Sequence, residues 1–463
     1  MVARNRSSIF TVFLVLAACS LAACSALMEL SKQEPDFQVL PKRTPTLNNC
    51  IGVDHRDSIL GPTKKFNENF LEFLQLAQKK YRLNIQEKFF LLGLAMLNAR
   101  PDKVTPFSDL YLTHNLGTGN KYTLFTIKKT EPPPRLQKEK ATEHLKKEKP
   151  SKPGPPSPES YLFGLENLLK ANKASRSALE LVSIFEALYP FPVRIGPRLA
   201  EFLKNNESEL KSNSVFGQSF FKGDQLATVN EGLPKLPFKK IIQNYHRHKS
   251  HFASDIIQEN FLFSSQPKKH EANEKIQIHC NFDLGLYQNG IYVISSRARE
   301  APVFGIRSQG HWILAMASFR TEFPTPFEDT FLLAGQNQAR PLSICMIKNE
   351  SSGLDLTLFS SEGRDPGQHL NNLIEMGIFR SKSVIELTEY LNFPRHLFLI
   401  NPPRMLYEGH RSEQDSLDNI QAMQFPLYNV EGLGQVTAMI GQKGSETGLI
   451  SDSRSLTQVS CRE

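Results

Sequence analysis

Apolar residues recur at three- and four-residue spacing in the first folded stretch: Phe66, Phe70, Phe73, Leu74, Ala77 and Tyr81. Such a stripe predicts an amphipathic helix with one face on a core. Asn84 with Glu87 three residues on has the form of a capping box. The run over 89–97 is apolar around most of its circumference before Arg100-Pro101 stops it, so the second helix must be buried. The two helices read as an antiparallel hairpin, and 121–129 reads as a strand after the turn-like 117–120. A second helical block is expected from Tyr161, Leu162, Leu165, Leu168 and Leu169, and then from Leu179, Leu181, Val182, Ile184, Phe185 and Leu188. Pro190 and Pro192 end it. Two short amphipathic pieces are expected at 198–210 and 238–246.

From Ile276 the period changes from 3.6 to 2, since Ile276 and Ile278 alternate with Gln277 and His279 before Cys280. Three hairpins are predicted: 284–287 with 291–294 around Asn289-Gly290, Val303-Phe304 with 312–316 around Gln309-Gly310, and 342–347 with 354–359 around a turn ending at Gly353. Two helices interrupt the strands. Asp365 as N-cap, Pro366 at the first helical position and Gly377 as a stop bracket one; Ser383 with Glu386 caps the other, which Pro394 ends. Strands at 397–400 and 435–440 follow.

Composition marks the joints. Residues 131–157 turn abruptly to Pro, Lys and Glu, with too little apolar surface to offset the entropy of ordering them, so they read as a disordered linker. The resulting organisation is a signal peptide at 1–23, a tether at 24–55, a helical hairpin plus strand at 56–130, the linker at 131–157, a helical region at 158–250 and a β-rich domain at 251–463. The fold class expected is α+β, with a helical N-terminal half and an antiparallel sheet in the C-terminal domain.

At the N-terminus, Arg4 and Arg6 precede a short apolar run over 9–16, and Leu-Ala-Ala-Cys occurs twice, ending at Cys19 and at Cys24. A charged start, a short apolar segment and small residues before a cut form an export signal. The two tetrapeptides resemble the lipobox of bacterial lipoprotein precursors, a resemblance confined to these first residues. It implies that a cysteine is diacylated, becomes the mature N-terminus and tethers the chain to a membrane of the bacterial cell envelope. If Cys24 is acylated, an even set of thiols remains, namely Cys50, Cys280, Cys345 and Cys461, which suits an oxidising compartment. The apolar run leads more directly into Cys19, so both positions stay open. Cys280 and Cys345, each in an alternating apolar stretch, are expected to pair; a Cys50–Cys461 bridge with free thiols at 280 and 345 is the alternative.

A net charge of +8 and a pI of about 9.0 favour an anionic envelope ligand, or a protein partner, and no feature points to specific nucleic-acid binding. With 32 Phe against one Trp, a tryptophan-lined sugar site is not expected. Candidate chemistry is sparse. The histidines of 245–251 sit among Arg247 and Lys249, which would repel a dication, so no metal is expected, nor any cofactor. Gly305-Ile306-Arg307-Ser308-Gln309-Gly310 approaches a nucleophile elbow but has Ile306 where the first glycine must stand. Asp365 and His369 near one helix start, with Arg404 further on, form the candidate site. The reading is a non-enzymatic binding or structural module, with an envelope hydrolase working near Asp365, His369 and Arg404 as the alternative.

Overall fold

The computed structural model describes residues 48–52, 57–116, 120–127, 159–171, 173–205, 207, 210–211, 215–253, 256–260, 276–280, 302–318, 342–361, 366–400, 403–411, 422, 427–430, 432–442, 447–452, 454 and 457–461. Its elements in chain order begin with strands β1 (Asn48–Gly52) and β2 (Ser58–Gly61), helices α1 (Lys64–Tyr81) and α2 (Ile85–Ala99), and the hairpin β3 (Asp109–Asn115) and β4 (Asn120–Ile127). Helices α3 (Ser160–Ala171), α4 (Ala178–Leu188), α5 (Pro197–Asn205), α6 (Val215–Gln218) and α7 (Phe238–Phe252) follow. Among them lie the two-residue strands β5 (Val193–Arg194), β6 (Phe221–Lys222), β7 (Gln225–Leu226) and β8 (Gly232–Leu233). The rest is β9 (Ile256–Asn260), β10 (Ile276–Cys280), β11 (Val303–Ser308), β12 (His311–Ser318), β13 (Leu342–Asn349), β14 (Leu354–Ser361), α8 (Pro366–Glu375), α9 (Val384–Asn392), β15 (His396–Ile400), β16 (Pro403–Tyr407), β17 (Leu427–Asn429), β18 (Gln435–Gln442), β19 (Thr447–Ser451) and β20 (Gln458–Cys461).

Two large antiparallel sheets stack in the middle of the molecule. One runs β1-β19-β18-β14-β13-β10, the other β20-β2-β11-β12-β3-β4-β9. Tyr111, Trp312, Leu314 and Met316 of the second sheet meet Ile344, Phe359, Met439 and Leu449 of the first in the seam between them. On the outer face of the seven-stranded sheet, Phe304, Ile306, Ile313 and Ala315 pack under α1, α2, α3, α4 and α7 in one large core rich in phenyl rings. On the outer face of the six-stranded sheet, Ile347, Leu356, Leu358 and Ile440 pack under α8 and α9. The result is four layers, helix on sheet on sheet on helix.

The α+β class holds, and most predicted elements stand where the pattern put them. Asn84 and Glu87 close a full capping box on α2. Gln309 (φ 51°) and Gly310 (φ 76°) make the β11–β12 turn, and Gly377 (φ 90°) follows α8. Ser383 accepts the backbone N–H of Glu386 at 3.2 Å to start α9. The hairpin expected over 284–294 and the linker at 131–157 lie outside the described residues.

Two expectations need correction. β1 forms inside the stretch read as a tether and pairs with β19 residue for residue, Cys50 opposite Leu449. The helical hairpin and the β-rich region do not keep separate cores either, because β3 and β4 from before the linker join one sheet with β11 and β12 from after it. The physical reason is that neither layer of helices can bury its apolar face without a sheet beneath it.

Cys280 stands opposite Cys345 in the β10–β13 register and is bonded to it, with Cα atoms 4.1 Å apart. The pairing with two free thiols at 280 and 345 is thereby overturned. Cys461 on β20 is disulfide-bonded as well. Among the described residues no helix is long and apolar enough to cross a membrane.

Candidate functional site

The three side chains read as a candidate site divide as follows. Asp365 lies outside the described residues. Arg404 lies on β16 opposite Leu399. His369, on α8, is wholly buried. Beside it sits a cluster that no local spacing announced: Arg395 just before β15, Glu408 just after β16, and Asp452 and Arg454 after β19.

This cluster is a buried double ion pair. Arg395 Nη2 meets Asp452 Oδ2 at 2.6 Å and also donates to the Leu391 carbonyl, while Nη1 donates to the Leu433 carbonyl. Arg454 lays Nε on Glu408 Oε1 at 2.6 Å and Nη2 on Oε2, a bidentate fork, and its Nη1 and Nη2 also donate to the carbonyls of Leu391 and Phe393. The carboxylates accept backbone N–H groups in turn, Asp452 from Val436 and Arg454, and Glu408 from Arg395 and Leu433. Four buried ions stay charged when their donors and acceptors are matched in this way, and here the match is nearly complete, with Arg395 Nε left without a hydrogen-bond partner.

The same burial decides what His369 can do. Desolvation, reinforced by the nearby charges of Arg395 and Arg454 and by His396, holds its imidazole well below the usual histidine pKa. His396 is pushed down to about 4 by burial. Arg395 itself falls to about 10, through burial and the neighbouring Arg454, against the pull of Asp452 and Glu408. A histidine kept neutral beside two guanidinium groups resists taking up a proton, so it is poorly placed for a general base that must turn over near neutral pH. Arg395, a residue type that ordinarily faces water, is here a core residue. The function of this cluster is to lock α9, the β15–β16 hairpin and the end of β19 together.

A second cluster lies in the helical layer. Glu166 on α3 accepts from Tyr245 Oη at 2.9 Å and from Lys249 Nζ at 3.1 Å, and meets His246 Nε2 at 3.1 Å, all three partners being on α7. Lys170 approaches it at 3.4 Å. Burial works against the charge of Glu166, but these donors and cations hold its pKa below the ordinary value. His248 and His251 stand with ring centroids 6.4 Å apart. No group of three or more metal-ligating side chains occurs among the described residues.

Ser308, from the near-elbow motif, sits at the end of β11 facing α2. Lys88 Nζ donates to its Oγ at 3.1 Å and to both Asp57 oxygens at 2.9 Å. A lysine that gives protons to a carboxylate and to the hydroxyl at once is a donor, not a base for that hydroxyl, so this trio reads as a buried anchor of α2 on its sheet. The seam between the sheets holds a void of about 10 Å³ lined by Tyr111, Val303, Met316, Ile344 and Phe359.

No family model matches the chain, and no curated protein matches it. Solved structures do. The chain is similar to LmbA2991 in a threonine-to-alanine form at 8% identity, covering 91% of this chain and 100% of that one with a TM-score of 0.59. It is similar to cephalosporin acylase from Bacillus halodurans at 10% identity, covering 92% of this chain and 98% of that one with a TM-score of 0.53. At such identities the likeness is one of fold, and it runs along nearly the whole of each chain.

Proposed function

We propose that the chain is a lipid-tethered cell-envelope protein that uses an acylase-like four-layer scaffold as a binding or structural module. The observation that carries this reading is the filling of the seam between the sheets. Tyr111, Trp312, Leu314, Met316, Ile344 and Phe359 close it around a void of about 10 Å³, room for one water. A site for a small organic ligand needs roughly 300 Å³ or more. The buried ionic groups support the same reading, since the carboxylates of Glu408 and Asp452 are fully engaged by protein donors. The Leu-Ala-Ala-Cys repeats support the tether.

The second reading, an amide hydrolase, is favoured by the similarity of fold to cephalosporin acylase over almost the full chain. A direct assay separates the two: purified full-length protein incubated with cephalosporins and with a set of chromogenic N-acyl amides. The module reading expects no turnover above buffer. A kcat/KM reaching on the order of 10⁴ M⁻¹ s⁻¹, the lower end for ordinary enzymes, on any of them would overturn it. The tether is tested by mass spectrometry of the mature N-terminal peptide, expected to carry acyl chains on Cys19 or Cys24; an unmodified terminus at Leu27 would remove it.

A further inference from the structure

We propose that the outward face of α7 is a docking surface for an anionic phospholipid membrane. The helix sequence FKKIIQNYHRHKSHF contains no carboxylate. Its apolar side chains Phe238, Ile241, Ile242 and Tyr245 are buried in the helical core, so the face left to water is its polar one. Lys239, Lys240 and Arg247 are exposed along it, with His251 on the same side. Glu186 on α4 approaches the start of the helix, but its carboxylate accepts the backbone N–H of Lys239. Lys249, by contrast, is turned inward to Glu166, whose side chain is only 12% exposed. Among the described residues no side-chain carboxylate is paired with Lys239, Lys240 or Arg247.

An uncompensated row of cations on a rigid helix fits a flat anionic surface better than a small anion. The row lacks the converging geometry that holds a single phosphate, and its attraction adds up charge by charge over a membrane within about 10 Å, the Debye length. Each basic side chain near such a surface strengthens binding about fivefold. This goes beyond the tether, and the two fail separately: an acyl chain attaches the end of the protein, whereas this face would orient the folded body.

The test is co-sedimentation of the unacylated full-length chain with vesicles of phosphatidylcholine alone and of phosphatidylcholine with phosphatidylglycerol, at low and physiological salt. Binding is expected only with phosphatidylglycerol, weakening as salt rises. The triple variant Lys239→Gln, Lys240→Gln, Arg247→Gln should lose about 100-fold in partition coefficient. Lys64→Gln, Lys79→Gln, Lys80→Gln on α1 removes the same charge elsewhere and should lose little. Equal losses in the two variants would reduce the effect to net charge and overturn the proposal. Binding of the parent chain to a soluble polyanion but not to the vesicles would overturn it also.

Discussion

Glu159 and the histidines His369 and His396 set opposite pH dependences on one fold. Burial pushes the Glu159 carboxyl up to about 8, and one of its oxygens has no hydrogen-bond partner. In the unfolded chain that group ionises near its ordinary value, so between about 4.5 and 8 the folded state holds a proton that the unfolded state has lost, and stability falls as pH rises. Replacing it by the neutral isostere, Glu159→Gln, should therefore raise the unfolding free energy at pH 7.5 by about 4 kcal/mol and change little at pH 4.5, read from urea midpoints. His369 and His396 act the other way. Both are neutral when folded and take up protons when unfolded below about 6.5, so stability is lost as pH falls from there, down to about 4 for His396 and further for His369. His369→Leu should flatten that acid limb by about one proton, or about 1.4 kcal/mol per pH unit, in the same titration; an unchanged slope would mean the imidazole is not buried neutral. None of this was legible in the sequence. His369 was singled out for its place near a helix start, but its partners Arg395 and Arg454 are 59 residues apart along the chain, and Glu408 and Asp452 are 44 apart. A cluster assembled from three separate connecting segments has no spacing to read.

At the level of elements, α2 and α3 touch through a glycine. Gly93 has Leu165 lying where a Cβ would stand, at 2.7 Å, and its carbonyl accepts the Tyr161 hydroxyl at 3.1 Å. Gly93→Val is expected to cost about 1–3 kcal/mol by forcing the helices apart, measured as a fall in Tm. Gly196→Val is the control, since nothing lies near its missing Cβ. Helices and tight hairpins were legible because their signals are local: the capping box of α2, the Ser383 cap of α9 and the Gln309-Gly310 turn are read within a few residues. β3 was missed for the converse reason. Six of its seven residues are buried, Leu110 and Leu112 toward the helices and Tyr111 toward the seam, so no polar alternation marks it. The pairing of Cys280 with Cys345 was legible since both lie on strands with clear alternation.

For the whole molecule, the order of the sheets is the part that sequence does not reveal, because it is made of pairings across hundreds of residues. β12 pairs with β3, bringing Leu314 opposite Thr113 and Ala315 opposite Leu112. This has a direct test. Because Cys461 is disulfide-bonded and every cysteine left to pair with it precedes the linker, the test needs reductant: with the disulfides reduced, proteolysis confined to the proline- and lysine-rich stretch over 135–152 should leave two fragments that elute together at the size of the intact chain and separate only when denaturant is added. Fragments that separate under native conditions would contradict the shared sheet.

The seven-stranded sheet ends on a strand that is made last. β2 near the start has β11 on one side and β20 on the other, Leu60 opposite Val459, and Asn67 on α1 donates to the carbonyl of Gln458 at 2.7 Å across a sequence separation of 391. Until residue 461 exists, β2 presents an open edge and the amide of Asn67 lacks that acceptor. A nascent chain is thus held short of its final closure through nearly all of its synthesis, whatever its helices have done by then. Folding governed by such distant contacts is slow. On the export proposed above for this chain, that delay is a window in which it stays threadable.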